Sequence, residues 1–145
     1  GALLMDTGIA AIRGAILDDA EPSCLAVNIG NGHTLAGVVV DGRLISLFEH
    51  HTHRMSSSKL DDYLKRLCDG GLDFQEVFDD GGHGCYIEET IGFKNMGSIL
   101  VTGPNRSIME SSGLDFRFAA PFGDMMLTGC FGLVDACLSK RKNRV

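Results

Sequence analysis

The stretch from Cys24 to Thr52 reads CLAVNIGNGHTLAGVVVDGRLISLFEHHT and decides the fold. An apolar run over 24–29 is followed by a Gly/Asn turn at 30–32, and two further apolar runs meet at Asp41-Gly42. Asp-Gly between apolar runs is typical of a two-residue hairpin, because a type I′ turn needs positive φ at both central residues. The stretch therefore predicts three successive antiparallel strands.

The Asp41-Gly42 turn also predicts which residues face each other across the hairpin. Pairing outward from the turn opposes Val40 with Arg43, Thr34 with Glu49, and His33 with His50. Opposed residues hold their Cβ atoms about 4.5–5.5 Å apart, so two imidazoles should meet at the open end. Both faces are largely apolar, with Leu35, Val39, Leu44 and Phe48 on one and Ala36, Val38, Ile45 and Leu47 on the other. A sheet apolar on both sides predicts helices on both sides.

Composition limits the class of protein. A chain of 145 residues fits one domain with a sizeable core. The formal charge of −6 makes the surface a poor match for nucleic acid. Five cysteines without a C-x-x-C spacing argue against a disulfide framework and favour the cytoplasm. No apolar run approaches the roughly 20 residues of a membrane span, so no membrane partner is expected.

The rest of the chain alternates helices and strands around one unassigned stretch. Residues 81–97 give no clear pattern. The predicted elements are helices over Thr7–Leu17, Ser56–Cys68 and Asp73–Phe78, a strand at Ser98–Thr102, a helix from Pro104 to Ser111, a strand at Phe116–Ala120, and a last helix from Asp124. Since the chain begins at Gly1 rather than Met, we expect it to be the C-terminal fragment of a longer protein.

This order predicts an α/β fold of ribonuclease H-like layout, the repeated half of the actin-like ATPase fold. The mixed sheet should have five strands, three antiparallel and then two parallel, with helices on both faces. We expect a single domain over 1–145, with a leading helix in 1–20, the three-strand unit at 24–52, and strand-helix-strand-helix over 98–142. The right-handed crossover rule makes the late strands parallel to the first, so their carboxyl ends share one edge, where ligands bind in open α/β sheets.

The string NIGNGHTLAGVVVDGRLI resembles the phosphate-binding strand-turn-strand of sugar kinases and other actin-like ATPases. The resemblance implies that a phosphate lies on the turn formed by Gly30, Asn31 and Gly32, with the Thr34 hydroxyl nearby. The string VTGP at 101–104 matches their nucleotide-contacting turn, so the resemblance adds Thr102 and Gly103. It implies ATP with magnesium as ligand, although Asn28 stands where the family has a magnesium-holding Asp.

A closer resemblance covers almost the whole chain. The strings NIGNGHTLA, FEHHT, FDDGGHG, VTGPNR and APFGDMMLTGCFGL are similar to the carboxy-terminal half of a prokaryotic family labelled pyruvate formate-lyase activating enzyme. The resemblance implies the family's amino-terminal half as a partner that completes the cleft. A radical-SAM activase needs C-x-x-x-C-x-x-C, which this chain lacks, so no iron–sulfur cluster is expected.

The remaining candidate residues each have a functional and a structural interpretation. Arg106 suits a phosphate or carboxylate partner, or is a surface arginine. Glu49 and His50 are candidates for general acid–base chemistry, and Asp124 for a catalytic contact or simply a helix cap. Asp6-Thr7-Gly8 resembles the Asp-Thr-Gly of aspartic proteases, whose second carboxylate a homodimer would supply.

The histidines suggest a metal. His33 and His50, predicted to be opposed, together with His83 from the Gly-rich loop, form a three-imidazole set of the kind that binds zinc or another divalent metal with one open position. The alternative is a set of hydrogen-bonded histidines beside a turn.

Three functions follow as hypotheses. The first is the nucleotide- or phosphate-binding half of an actin-like ATPase or phosphotransferase relative, with a nucleotide or small-molecule ligand. The second is a histidine metal-binding domain, hydrolytic or structural. The third is a non-catalytic binding or regulatory module on the same scaffold.

Overall fold

A computed structural model of the chain describes residues 2–142 and shows a six-stranded mixed sheet in the order β4-β3-β2-β1-β5-β6. The strands are β1 (Ser23–Ile29), β2 (His33–Val40), β3 (Arg43–His51), β4 (Gly84–Ile87), β5 (Ser98–Thr102) and β6 (Arg117–Phe118). The helices are α1 (Thr7–Ala15), α2 (Ser57–Asp69), α3 (Phe74–Asp79) and α4 (Thr128–Lys142). Within these residues, none of the helices is both long and apolar enough to span a membrane.

The strand directions match the predicted layout. β1 through β4 are antiparallel neighbours, whereas β1, β5 and β6 run parallel. The predicted count of five strands is wrong, because Gly84–Ile87, in the stretch left unassigned, pairs with β3 as a sixth. The predicted last strand is shorter than expected, and the predicted helix after Pro104 is a 3₁₀ helix over Arg106–Ser111.

Helices cover both faces of the sheet, as predicted. On one face, α2 packs the fully buried Leu60, Leu64 and Leu67 against strand residues that include Phe48. On the other face, α1 packs Ile12 and Ala15 against a second apolar cluster. α4 lies mainly on α1. We refer to these as the α2 face and the α1 face.

Local capping signals fix the ends of the helices. Asp6 caps α1, accepting hydrogen bonds from two backbone N–H groups, and the Ser56 hydroxyl caps α2. Gly70, with φ of 79°, ends α2 in the left-handed conformation. The hairpin turn has positive φ at both Asp41 (49°) and Gly42 (76°), as a type I′ turn requires.

A β-bulge in β3 changes the predicted register. Val39 pairs with Leu44, but Val38 pairs with Ser46, which leaves Ile45 as an extra residue. Every later residue of β3 is therefore shifted by one relative to the prediction. Since adjacent residues of a strand point to opposite faces, the shift exchanges the two sides: Phe48 lies in the core of the α2 face and Leu47 packs on the α1 face.

The shift also changes the pairs at the open end of the hairpin. His33 pairs with His51, Thr34 with His50, and Leu35 with Glu49. The predicted pairs His33–His50 and Thr34–Glu49 are therefore wrong. Beside the bulge, the Ser46 hydroxyl is buried and has no hydrogen-bond partner among the described residues.

The helices α1 and α4 touch through their backbones. A Cβ added at Gly14 would lie 1.8 Å from the Thr128 carbonyl oxygen, and one added at Gly132 would lie 2.0 Å from the Ala10 carbonyl oxygen. Glycine at both positions is therefore required by the close approach. Gly132 therefore packs against the backbone of α1.

Candidate functional site

The turn from Gly30 to Gly32 is fastened to the protein through its carbonyl oxygens. The Gly30 oxygen accepts from Thr52 Oγ1 at 2.8 Å and from Asn105 Nδ2 at 3.0 Å. The Gly32 oxygen accepts from the Thr52 backbone N–H at 2.9 Å. Among the residues described, the backbone N–H groups of Asn31 and Gly32 have no acceptor. The Gly30 and Gly32 carbonyl oxygens are thus bonded to the protein, whereas the N–H groups of Asn31 and Gly32 are left at the surface.

Two adjoining clefts flank this turn. The inner cleft, of about 280 Å³, is lined by Thr7, Ala11, Asn28, Gly30, Asn31, Thr102, Gly103, Pro104, Met125, Met126, Thr128 and Gly129. The outer cleft, of about 400 Å³, is lined by Asp6, Thr7, Gly8, Asn28, Gly30, Asn31, Gly32, His33, Leu35 and Glu49. The inner cleft lies at the carboxyl ends of β1 and β5, and the outer cleft lies at the carboxyl end of β1, along the edge that the sequence predicts for a site.

The strand ends bring polar groups into the inner cleft. Asn28 and Thr102 are neighbours on the parallel strands β1 and β5. The Thr102 hydroxyl donates to Thr128 Oγ1 at 3.2 Å, and that hydroxyl donates in turn to the Met125 carbonyl at 2.7 Å. The chain of hydroxyls ties the start of α4 to the sheet. Asn28 is only half-buried, so its amide is accessible from both clefts.

Glycine is required at position 103, where the loop after β5 passes close to the end of β1. Its φ is 101°, and a Cβ there would lie 2.4 Å from the Ile29 carbonyl oxygen. The loop after β5 is therefore packed directly on the end of β1. That packing allows Asn105 to reach the Gly30 carbonyl.

The clefts carry little charge. Among the described lining residues, the inner cleft has no ionisable side chain and the outer cleft has the carboxylates of Asp6 and Glu49, together with His33. Asp6 Oδ1 already accepts from the N–H groups of Gly8 (2.8 Å) and Ile9 (3.0 Å). Glu49 is thus the carboxylate that remains free to bind a cation or accept a proton.

Five predicted site residues lie outside both linings: Thr34, Arg106 and Asp124, and the histidines His50 and His83. The buried Thr34 hydroxyl is on the α2 face and bonds Thr52 Oγ1 at 3.0 Å. The Arg106 guanidinium lies over the Phe118 ring, 5.5 Å from its centroid. The exposed Asp124 side chain accepts from the Met126 N–H at 2.9 Å and so acts as a cap.

His50 is fully buried on the α2 face rather than beside His33. Its Nε2 donates to Asp80 Oδ2 at 2.9 Å, and the same oxygen accepts from Lys59 Nζ at 2.6 Å and the Tyr63 hydroxyl at 3.2 Å. Hydrogen bonding to Lys59 lowers the pKa of Asp80, while burial and the nearby Asp80 charge raise the pKa of Tyr63 to about 12. Such a satisfied network fixes β3, α2 and the loop before β4 together.

Two glycines of the FDDGGHG segment (78–84) are required by the aromatic rings that pack against them, those of His50 and Phe74. A Cβ at Gly82 would lie 2.5 Å from His50 Cδ2, so glycine makes room for the buried ring. Gly84 has φ of 103° and packs against Phe74, where a Cβ would lie 2.2 Å from the ring. Between these glycines, the His83 N–H donates to the Glu49 carbonyl at 2.9 Å. The loop is therefore held in place on both sides of His83.

His33, His51 and His83 form a cluster at the edge of the outer cleft. The ring centroids are 4.9 Å apart for His33–His51, 4.9 Å for His33–His83 and 4.8 Å for His51–His83. The predicted set contained His50 in place of His51, an error that follows from the bulge. Partial desolvation, and then the neighbouring His83 and His33 rings, lower the pKa of His51.

Several lining and supporting residues were missed from the sequence. They are the lining residues Thr7, Ala11 and Thr128 and the pair that fastens the turn, Thr52 and Asn105. Some of them carry a signal in the sequence: Thr7 belongs to the Asp-Thr-Gly string, and Asn105 and Thr128 lie within the strings that carry the family resemblance. What the sequence lacks is any indication that α1 borders the phosphate-type turn.

Two cysteines lie deep in the core on opposite faces. Cys24 belongs to the cluster of the α1 face and Cys68 to that of the α2 face. Burial raises the pKa of both thiols to about 12. These two thiols are therefore separated by the sheet and are poor nucleophiles or metal ligands.

The fold is that of the actin-like ATPases. The chain is similar to MreB5 of Spiroplasma citri bound to ADP, with a TM-score of 0.52 and 14% identity over 99% of this chain and 63% of that one. The apo pSK41 ParM protein gives a TM-score of 0.47 and 14% identity, covering 94% of this chain and 50% of that one. EutJ from Carboxydothermus hydrogenoformans gives 0.41 and 14%, covering 88% and 52%. The chain thus spans between half and two thirds of the length of these structures.

By sequence, the chain belongs to the family described as "Putative pyruvate format-lyase activating enzyme (DUF1786)", whose sequence model matches residues 1–108. This confirms the family resemblance over residues 1–108, which include all the motif strings except the last. No curated protein matches the chain.

Proposed function

We propose that this chain is the phosphate-binding half of a nucleotide-binding actin-like protein, with the Gly30–Gly32 turn contacting the phosphates. The observation that carries the proposal is the orientation of this turn. Its carbonyls are tied inward by Thr52 and Asn105, while the N–H groups of Asn31 and Gly32 have no acceptor among the described residues. Successive unpaired backbone N–H groups form a concave donor set suited to an anion.

The surroundings of the turn support an anionic ligand that carries a neutral, apolar part. The inner cleft contains no ionisable side chain among its described residues, and Met125 and Met126 line one side of it. A nucleoside would find apolar surface there, and its phosphates would lie toward the turn. The neighbouring hydroxyls of Thr7, Thr102 and Thr128 offer further polar contacts at the same end.

The proposal includes a second half that completes the cleft. The chain spans 50–63% of the actin-like structures to which it is similar, and its two clefts lie at one edge of the sheet. We infer that the remaining surface of the nucleotide site comes from the amino-terminal half of the family's protein. The substrate on which that whole protein acts belongs to the same proposal.

Magnesium fits this site in part. Mg²⁺ is usually held by one or two carboxylates together with phosphates and water. Glu49 offers one carboxylate at the outer cleft, and the Asn28 amide offers a neutral oxygen where a carboxylate would bind more strongly. These two side chains would hold the ion, which would neutralise phosphate charge.

Asn28 also favours a second candidate function, a module that binds nucleotide without transferring phosphate. The position beside the turn carries an amide instead of a carboxylate, and Glu49 is the one uncommitted carboxylate in the described lining. The two candidate functions differ in whether phosphate is transferred, not in whether nucleotide binds. A nucleotide-binding experiment therefore tests both.

The test is an amide-resolved NMR titration of the full-length protein with ADP, ATP and inorganic phosphate, each with magnesium. We expect the Asn31 and Gly32 amide resonances to shift on nucleotide addition. In Gly30→Ala, the new Cβ would lie 2.8 Å from the His33 carbonyl oxygen and deform the turn, whereas Gly71→Ala, away from the turn, places its Cβ in open space and serves as the matched control. Hydrogen bonds to charged groups contribute about 1.5–3 kcal/mol each, so Gly30→Ala should weaken binding by roughly tenfold or more.

Unchanged Asn31 and Gly32 resonances at saturating nucleotide would contradict the proposal, as would equal affinities of the two glycine variants. Hydrolysis of ATP by the full-length protein separates the two candidates. Turnover that is lost in Glu49→Gln would favour the phosphotransferase. Binding without turnover, unchanged in Asn28→Asp, would favour the binding module.

A further inference from the structure

We propose that His33, His51 and His83 bind one divalent transition metal ion of the zinc type at the edge of the outer cleft. The nearest imidazole nitrogens of the three rings all lie within 4.8 Å of one another. Two nitrogens bound to one tetrahedral zinc at about 2.0–2.1 Å lie about 3.3 Å apart. Small side-chain rotations would close the triangle, because His33 and His83 are exposed and His51 is half-buried.

The backbone already brings the three residues together. His33 and His51 are opposed residues of β2 and β3. His83 is fixed beside them by its hydrogen bond to the Glu49 carbonyl at 2.9 Å and by the glycines on either side. Three separate segments thus converge on one point through strand pairing and a constrained loop. A metal would therefore require little backbone reorganisation.

The ring nitrogens of the cluster are not engaged by acidic groups. The three ring centroids lie within 5 Å of one another, and no side-chain hydrogen bond links any of the rings to a carboxylate within residues 2–142. A transition metal ion binds imidazole nitrogens, so one ion can be shared by the three rings.

The geometry excludes two neighbouring histidines, His50 and His53, from the proposed metal site. His50 points to the opposite face and is committed to Asp80. His53 is exposed, and its ring lies 5.6 Å from that of His51, outside the triangle. His33 also lines the outer cleft with Glu49, so the metal would have one open coordination position near that cleft.

The test uses the full-length protein without a histidine tag, stripped with chelator and titrated with ZnCl₂ by calorimetry in the absence of nucleotide. We expect one zinc per chain. His33→Ala, His51→Ala and His83→Ala should each weaken zinc binding by more than about 100-fold, beyond the 10–100-fold typical of losing an outer hydrogen-bond partner of a ligand. His53→Ala is the matched control and should change the affinity by less than about threefold.

Cobalt provides an independent measurement. Wild-type protein with CoCl₂ should show the visible absorption of four-coordinate cobalt, and the three variants should lose it while the thermal unfolding of their metal-free forms stays close to that of the metal-free wild type. Zinc binding that survives in His33→Ala or His83→Ala would overturn the proposal. Equal loss in His53→Ala would overturn the three-histidine assignment. Since no nucleotide is present, the result is independent of the proposed function.

Discussion

Replacing Gly132 with Ala should destabilise the protein although alanine is the better helix former. Gly132 lies within α4, where Gly→Ala alone would gain about 1 kcal/mol. The added Cβ, however, would lie 2.0 Å from the Ala10 carbonyl oxygen and 2.6 Å from the Gly14 nitrogen. Both atoms belong to the backbone of α1, so no side-chain rotation relieves the overlap. The two helices must move apart by about 1.4 Å to reach an ordinary 3.4 Å contact.

The size of the effect follows from these opposing contributions. Overpacking that moves backbone costs typically about 1–3 kcal/mol and occasionally more. After the helix-propensity gain is subtracted, we expect Gly132→Ala to lose up to about 2 kcal/mol in free energy of unfolding. For a chain of this length, each kcal/mol lowers Tm by about 2–4 °C. Gly129→Ala is the matched control, because its Cβ would find its nearest atom at 3.8 Å; it should be neutral or stabilise by up to about 1 kcal/mol.

The measurement is guanidinium unfolding of the two variants and the wild type, followed by far-ultraviolet circular dichroism. We expect the two alanine variants to differ by about 1–3 kcal/mol, with wild type between them or equal to Gly129→Ala. If Gly132→Ala were as stable as Gly129→Ala, the close approach of α1 and α4 would be refuted. Destabilisation of Gly129→Ala without destabilisation of Gly132→Ala would refute it equally.

Three further outcomes are expected. Gly82→Ala should cost about 1–3 kcal/mol, because its Cβ would lie 2.5 Å from the buried His50 ring, while Gly71→Ala, with open space at its Cβ, should be neutral in the same thermal melts. Gly103→Ala combines a φ of 101° with a backbone overlap and should destabilise by about 3 kcal/mol or more, seen as a lower denaturant midpoint. The lowered pKa of Asp80 means that its stabilisation is complete above the ordinary carboxylate pKa and is lost as pH falls through the lower folded value, so acid unfolding profiles of Asp80→Asn should lack part of this dependence below about pH 4.

The part of the fold that follows local rules could be predicted from the sequence. The Asp41-Gly42 turn fixes its own geometry through positive φ, and the leucines of α2 recur at helical spacing and are all buried. These elements depend on residues close together in the chain. The location of the site at the carboxyl edge of the sheet could also be predicted from the sequence, because it depends only on the strand order.

The bulge in β3 could not be predicted from the sequence, and it caused the errors in the predicted strand register and in the predicted histidine set. Nothing in the Leu44-Ile45-Ser46-Leu47 stretch differs from a regular apolar strand, since no glycine marks the extra residue. The bulge is decided by packing: it places Phe48 in the core of the α2 face. β4 was missed for a similar reason, because Gly84–Ile87 is short and becomes a strand only by pairing with β3.

The candidate site was predicted in the parts that belong to one turn and missed where distant segments meet. Gly30 and Gly32 stand out in the sequence because of their spacing. Thr7 and Thr128 reach the same cleft from helices at opposite ends of the described chain, held together by the backbone crossing at Gly14. A tertiary contact over that separation leaves no local pattern.

Strand alternation, in the register that the bulge sets, gives His50 and His51 unrelated surroundings. The His50 ring is held inside the protein by Asp80, and the next residue places its ring at the edge of the outer cleft. One peptide bond therefore joins a rigid interior anchor to a surface group. We expect a substitution at Lys59 or Tyr63, on the far side of the sheet, to alter the order of the His51 ring without touching it. The strand would then transmit changes from one side of the sheet to the other, and the clefts would respond to residues that do not line them.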